Sequence, residues 1–464
     1  MLPVSQRGAR IRKRKRFPRD LPVTIESLSD KGLGCVELDQ EHGTRTLNVK
    51  AALPGEQLIV DVLNKRRGQW YANPKSVKLA SEHRINAPCK NFIACGGCTL
   101  QHVSQDFQLE LKNRNLIRKL DTHNVHFESN LPPVSGPKYL YRRRARLGVK
   151  YVAAKQRVLV GFREGFGGKI VDMSECLVLS EPFASQLKNI QILIAGLSNC
   201  DKIPQIELAA GDHDAVIILR HLTEFEIQDY ELIEAFHRFT GLQVYSQAGG
   251  YESVKLLYGS FRNGKNLSYA IPDYGVTIFH AVSDFVQVNN ACNLRLINAA
   301  VSGLRLCADD QVLELFCGVG NFSLPMARTA GCVLGLEGDE DLVASARQNA
   351  QYNGLSGKAQ FEKRDLYSTT LDPKEIARGF CLYNKMLVDP PRSGIGTAMR
   401  LIESSSVERL AYISCNPETF AMDAASLCDL GFQLESVRVF DMFPQTTHVE
   451  TLGLFQRSMA NRAG

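Results

Sequence analysis

Hydrophobic positions along the chain change their period twice. From Pro22 to about Leu79 apolar residues recur in short alternating runs: "VTIESL", "GCVELD", "RTLNVK", "EQLIVDVL" and "WYANPKSVKL". The segments between them, "SDKG", "QEHG" and "LPGE", supply turn residues. Five short strands in under ~70 residues predict a small β-barrel of the oligonucleotide-binding kind, over residues 21–80. Further on, "FQLELKNRNLIRKL" sets Leu109, Asn113, Leu116 and Leu120 at helical spacing. Residues from about 150 to 275 alternate short β-like runs with helices. Among these, "QIELAAG", "AVIILRHL", "LQVYSQ" and "ESVKLLYG" read as a sheet without a catalytic motif. A central α+β domain over residues 81–275 is expected. After Leu304 strands ("QVLELF", "CVLGLE", "AQFEKRD", "KMLVDPPR", "ERLAYIS") alternate with helices, which predicts a parallel sheet with crossovers. That gives an α/β, Rossmann-like domain over residues 276–464. The last runs, "FQLESVRVFD" and "ETLGLFQR", leave little room for a helix between them and predict an antiparallel hairpin at one edge.

Composition narrows the class. The chain has 464 residues, 44% hydrophobic and 22% charged, which suits a multidomain globular protein rather than a disordered one. The net charge is +6, and much of it sits in "RIRKRKR", Arg10 to Arg16. Residues 1–20 read as a basic, disordered arm, of the composition that phosphate binding needs. No apolar run approaches the ~18 residues of a membrane span, and no apolar stretch follows the basic start as in a secretory signal. Thirteen cysteines in a chain this long do not make a secreted disulfide scaffold. The expected compartment is the reducing cytoplasm, where clustered cysteines bind metal or do chemistry.

The candidate chemistry lies at strand ends. In "LELFCGVGNF" a strand ends at Phe316, and Gly318 and Gly320 form a tight turn before a helix, letting the backbone approach a ligand. The next strand ends at Glu337, placed to accept the hydroxyls of a ribose. Ser323 stands where a dinucleotide fingerprint needs its third glycine, which favours a cofactor without pyrophosphate, such as S-adenosylmethionine. Asp365 and Asp389 follow at the next two strand tips; Arg392, after "DPP", argues against an amino-group methyltransferase. Cys415 ends the fifth strand and Glu450 begins the last. Asn321, Glu337, Asp365, Asp389, Cys415 and Glu450 thus face one rim, where α/β sheets keep their sites. Separately, "CKNFIACGGC" with the later Cys176 offers Cys89, Cys95, Cys98 and Cys176. A single C-x2-C pair suits a [4Fe-4S] cluster at least as well as zinc. Tyr139, Tyr141 and Arg142 to Arg146 are candidates for stacking on and neutralising single-stranded RNA.

Taken in order, "FCGVGNF", "DPPR", "ISCNPET" and "MFPQTTHVE" resemble the RNA uracil-C5 methyltransferases, and the resemblance covers nearly the whole chain. It implies an N-terminal TRAM barrel, a central α+β domain with an iron–sulfur cluster and a C-terminal class I methyltransferase domain. The barrel and cysteine quartet together resemble the branch that modifies 23S rRNA, the RlmD (RumA) type, whose target is uracil-1939. By that resemblance Cys415 is the nucleophile and Glu450 the base. Gln287, Phe316, Asn321, Glu337, Asp365 and Asp389 line the S-adenosylmethionine pocket, and Cys89, Cys95, Cys98 and Cys176 hold a [4Fe-4S] cluster. The implied partner is 23S rRNA presenting a single-stranded or flipped-out uridine; no protein partner is evident.

Overall fold

Short alternating strands with no helix between them can bury their inward faces only by closing on one another, and residues 21–79 do so. The computed structural model describes residues 17–38, 44–368 and 383–457, and divides into two units, 1–86 and 87–464. The first holds β1 (Leu21–Thr24), β2 (Ser27–Leu28), β3 (Gly34–Leu38), β4 (Arg45–Val49), β5 (Gln57–Arg66) and β6 (Gln69–Leu79). Their order is β1-β5-β6-β4-β3-β2. Only Ile25 and Glu26 separate β1 from β2, so one bent stretch borders β5 at one end and β3 at the other. The Glu26 N–H bonded to the Cys35 carbonyl at 3.0 Å carries the join, and the sheet closes. Val36, Leu47, Val60 and Trp70 fill the interior.

Phe17 to Asp20, expected as part of the free arm, belong to this unit instead. Phe17 packs on the barrel core, the Pro18 carbonyl accepts from Val62 N at 3.0 Å, and Arg19 pairs with Asp61 at 3.1 Å. Residues 1–16, with "RIRKRKR", and the "QEHG" turn lie outside the described residues. Glu56 is fully buried and accepts from Arg84 and from the N–H groups of Leu53 (2.8 Å) and Ser81 (3.1 Å). Burial works against its charge, but those partners outweigh it and hold the carboxyl below its usual range. Breaking such a pair from one side costs about 3–5 kcal/mol.

In the second unit β7 is Phe127–Val134, β8 Arg144–Val152, β9 Arg157–Gly161, β10 Gln205–Ala210, β11 Ala215–Arg220, β12 Gln243–Gln247 and β13 Val254–Tyr258. Six of these form one sheet, β13-β12-β11-β10-β8-β9, beside a hairpin of β14 (Leu267–Ile271) and β15 (Val276–His280). The remaining strands are β16 (Gln311–Leu315), β17 (Cys332–Glu337), β18 (Ala359–Lys363), β19 (Lys385–Val388), β20 (Arg409–Ser414), β21 (Phe432–Phe440) and β22 (Glu450–Arg457). Together with β7 they build an eight-stranded sheet, β18-β17-β16-β19-β20-β22-β21-β7. Only β22 runs against its neighbours; every other contact is parallel.

Two expectations change here. The last two strands do pair antiparallel, but not at an edge: β22 is inserted between β20 and β21, and β7 covers β21. Nor does residue 276 part a central domain from the catalytic one. The helix Gln105–Thr122 sends Leu116 and Leu120 into the core that holds Leu313, Val388 and Tyr412. Its buried stripe is Gln108, Lys112, Leu116 and Leu120, rather than the expected one through Leu109 and Asn113. The two polar members are buried because each has partners on the segment between β21 and β22.

Candidate active site

The first strand tip turns sharply. Past Leu315, Phe316, Gly318 and Gly320 all have positive φ, at 65°, 53° and 93°. The two glycines adopt this freely. For Phe316 it costs about 1–2 kcal/mol. Phe316 and Cys317 N–H groups hold the turn by donating to the Leu336 carbonyl at 2.9 and 3.1 Å. Glu337, at the tip of β17, accepts from Gly318 N at 3.1 Å and Gly338 N at 2.7 Å, tying the glycine turn to the next strand. Asn321 exchanges amide hydrogen bonds with Asn293, 3.1 Å each way, and accepts from the Tyr269 hydroxyl at 2.8 Å. Gln287 is buried, and its carbonyl accepts from Arg143 Nε at 3.0 Å. Asp365 accepts from Tyr367 N at 3.0 Å, and the Tyr367 ring lies 5.5 Å from that of Phe316. Burial raises the Asp389 carboxyl to about 7.

These six residues, Gln287, Phe316, Asn321, Glu337, Asp365 and Asp389, line one cavity of about 560 Å³, and Cys415 and Glu450 stand in its wall. The volume is in the range of small-molecule sites. The strand register explains why the last two meet. Ser414, the last residue of β20, faces Thr451 on antiparallel β22, so Cys415, just past β20, and Glu450, the first residue of β22, come to the adjoining ends of the two strands.

Their electrostatics are coupled. Burial, the negative charge of Glu450 and that of Asp389 push the Cys415 thiol up to about 11, while the Arg392 guanidinium beside it pulls the other way. Glu450 is buried and raised well above the usual carboxylate range by that burial, then by Asp389, with Arg392 opposing. Arg392 therefore lines the cavity as the cation beside the Cys415 thiol. In the sequence it served only to exclude a class of enzyme; its position three residues past a strand tip was the available signal. The His448 ring lies edge-on to that of Phe443 at 5.8 Å.

The tyrosine–arginine run is mostly structural. Tyr141 is buried and donates to the Pro444 carbonyl at 2.9 Å, and Arg143 is buried against the Tyr269 ring. Arg144 donates to the carbonyls of Val282 and Ser283, at 3.1 and 2.7 Å. These arginines brace the loop that carries Gln287, a role that alternation along β8 hinted at but charge alone concealed.

Cys95, Cys98 and Cys176 are buried and Cys89 is half-buried. Burial raises Cys98 to about 12, and the charges of Cys176, Cys95 and Cys89 add to it. Gly97 N–H donates to Cys95 Sγ at 3.3 Å. As placed, no three or more His, Cys, Asp or Glu side chains among the described residues form a group that could hold a metal ion. No helix among them is long and apolar enough to cross a membrane.

A family model described as tRNA (Uracil-5-)-methyltransferase matches residues 271–458. A solved structure with a similar fold, the tRNA (uracil-54, C5)-methyltransferase of Pyrococcus abyssi in complex with S-adenosyl-L-homocysteine, gives a TM-score of 0.70. It is 24% identical, over 94% of this chain and 99% of that one. Two curated relatives carry the name 23S rRNA (uracil(1939)-C(5))-methyltransferase RlmD. The one from Hahella chejuensis is 38% identical over 96% of this chain and 100% of its own length. The one from Nitrosococcus oceani is 40% identical over 94% of this chain and 96% of its own. With a class I methyltransferase sheet, a cavity that gathers the strand-tip residues and relatives of this similarity over nearly full length, the chain belongs to the RlmD family of 23S rRNA (uracil-C5)-methyltransferases.

Proposed function

We propose that the protein transfers the methyl group of S-adenosylmethionine to C5 of a uridine in 23S rRNA, the position corresponding to uracil-1939, in the cytoplasm. The observation that carries this reading is that Cys415 and Glu450, at the adjoining ends of β20 and β22, stand in the wall of one cavity.

C5 of uracil is a weak nucleophile. Cys415 answers this by adding its sulfur to C6, which makes the ring an enolate with electron density at C5. S-adenosylmethionine supplies the electrophilic methyl group. Glu337 is placed for the ribose hydroxyls, Asp365 for the adenine edge, and Gln287, Phe316, Asn321 and Asp389 complete the pocket. Glu450 then takes the C5 proton, the C5–C6 double bond re-forms, and the Cys415 thiolate leaves. Burial that raises Glu450 makes its carboxylate a stronger base for this step. A uracil inside a stacked helix cannot reach Cys415, so the target uridine is single-stranded or flipped out. The closed barrel of the first unit, with exposed Lys65, Arg66 and Arg67 on its β5–β6 hairpin, suits a TRAM domain that binds the RNA backbone.

The four thiols Cys89, Cys95, Cys98 and Cys176 fit a [4Fe-4S] cluster in donor chemistry: three are buried, and a backbone N–H already points at one sulfur. Such a cluster supplies a covalent tie among the segments that carry them, and the methyl transfer needs no electron from it. Anaerobically purified protein should contain about four iron and four sulfide per chain with a broad visible absorbance. Stoichiometric zinc without sulfide would remove the cluster.

The function itself is tested with labelled S-adenosylmethionine and unmodified RNA separated into 23S and transfer fractions, followed by nucleoside chromatography. 5-Methyluridine in 23S rRNA alone is expected. Label in transfer RNA would keep the chemistry and overturn the substrate.

A further inference from the structure

Residues 441–449 join β21 to β22; they carry one cavity residue, Phe443, and lead directly into a second, Glu450, at the start of β22. This segment is irregular, yet it is held along its length by elements outside its own hairpin. Lys112 pairs with Asp441, both almost fully buried, and donates to the Phe443 carbonyl at 3.1 Å. One helical turn earlier, Gln108 exchanges two bonds with Gln445. Gln445 N donates to Gln108 Oε1, and Gln108 Nε2 donates to Gln445 Oε1, each at 3.1 Å. The same Gln108 nitrogen faces the carbonyls of Leu100 at 3.0 Å and Val103 at 2.9 Å. The Gln445 carbonyl accepts from Thr99 N at 2.9 Å and Leu100 N at 3.0 Å, directly after Cys98. Gln445 sits at φ 68°, a backbone state that an ordinary residue keeps only when its surroundings over-determine it.

We infer that Gln108 and Lys112 are positioning residues for the methyl-transfer reaction: through Gln445 and Asp441 they set the place of Glu450 and Phe443 relative to Cys415. The inference rests on the reading of Glu450 as the base. Two polar side chains at i, i+4 on an otherwise apolar buried face are an expensive way to fill a core. Their bonds all end on this segment or on residues 100–103, which the same amide ties to it. Through Gln445, the backbone just past Cys98 also leans on the active-site segment.

The test compares Gln108→Met and Gln445→Gly with the parent enzyme, using 23S rRNA and S-adenosylmethionine. Gln108→Met keeps the bulk and removes the amide. Gln445→Gly removes its side chain while tolerating the left-handed backbone, so it decides the matter if the first variant fails to fold. Loosening the base by about an ångström should lower kcat by about 10²-fold with KM for S-adenosylmethionine unchanged. A covalent RNA–protein adduct should also accumulate on a denaturing gel, because addition by Cys415 outpaces proton removal. A role in stability alone would lower the melting temperature and leave no excess adduct. Unchanged kcat, or loss of adduct and turnover together, would overturn the inference. Glu450→Gln is run in parallel: if it accumulates adduct and the brace variants do not, the brace falls alone. If Glu450→Gln accumulates none either, the base assignment falls and takes the brace with it.

Discussion

Cys415→Ala should abolish methyl transfer, by about 10⁴-fold or more, and abolish the covalent RNA adduct with it, while S-adenosylmethionine still binds. Cys317, which lines the same cavity, is buried and pushed well above the usual thiol range by that burial, so it is a poor substitute for Cys415 as the proposed nucleophile. A calorimetric titration with S-adenosylmethionine and a denaturing gel with RNA check the two halves separately. Turnover surviving in the variant would remove Cys415 from the chemistry. The thiol also sets a pH dependence. Held at about 11 by burial and by Glu450, it is almost wholly protonated at neutral pH. The thiolate fraction therefore grows about tenfold per pH unit between 7 and 9. The rate of adduct formation should rise over that window in a rapid-quench experiment. Replacing Arg392 with methionine removes the cation that favours the thiolate, so adduct formation should slow at every pH in the window.

Glu450→Gln should do the opposite to the adduct. The amide keeps the shape of the side chain but cannot take the C5 proton. Addition and methyl transfer proceed, and the enzyme stops with RNA still bonded to Cys415. Turnover should fall by about 10³-fold, within the range that general-base catalysis supplies, while a slow-migrating RNA–protein band persists in denaturant. Only free protein on that gel would take the base role away from Glu450. The two variants together separate the bond-forming step from the bond-releasing one.

How much of this was legible in the sequence depended on whether the signal was local. Glu337, Asp389 and Cys415 each end an apolar run and Asp365 follows a short alternating one, and a run bounded by turn residues is readable residue by residue. Their convergence follows from the rule that α/β sheets collect function at strand ends, and the structure gathers them in one cavity. That Cys415 and Glu450 end up at adjoining strand ends is a matter of register between segments 35 residues apart, set by where β22 enters the sheet, and no local pattern shows that. Strand β7 was hidden for another reason. "FESNLPPV" carries two prolines and polar residues, and it pairs on one side only, where proline is tolerated. The helix before it was legible as a helix, but its buried face was misplaced. Gln108 and Lys112 look like solvent residues until the partners that bury them are known. The arginine run misled in the same way, since Arg143 and Arg144 spend their charge on carbonyls and a tyrosine ring inside the fold.

The pairing of β7 with β21 has a consequence for synthesis on the ribosome. Arg438 reaches back to the Pro132 carbonyl across 306 residues of sequence. At translation rates of about 5–20 residues per second, β7 waits roughly 15 to 60 s for its neighbour. Over the first part of that interval Leu116 and Leu120 of the preceding helix have no core to enter, since Leu313 is made only later and Tyr412 later still. A nascent chain cut off before β16 therefore leaves those leucines uncovered, and one cut off before β22 lacks Glu450. An enzyme that works on ribosomal RNA thus leaves the ribosome inactive until almost its last strand, and its early segments are natural clients for a chaperone.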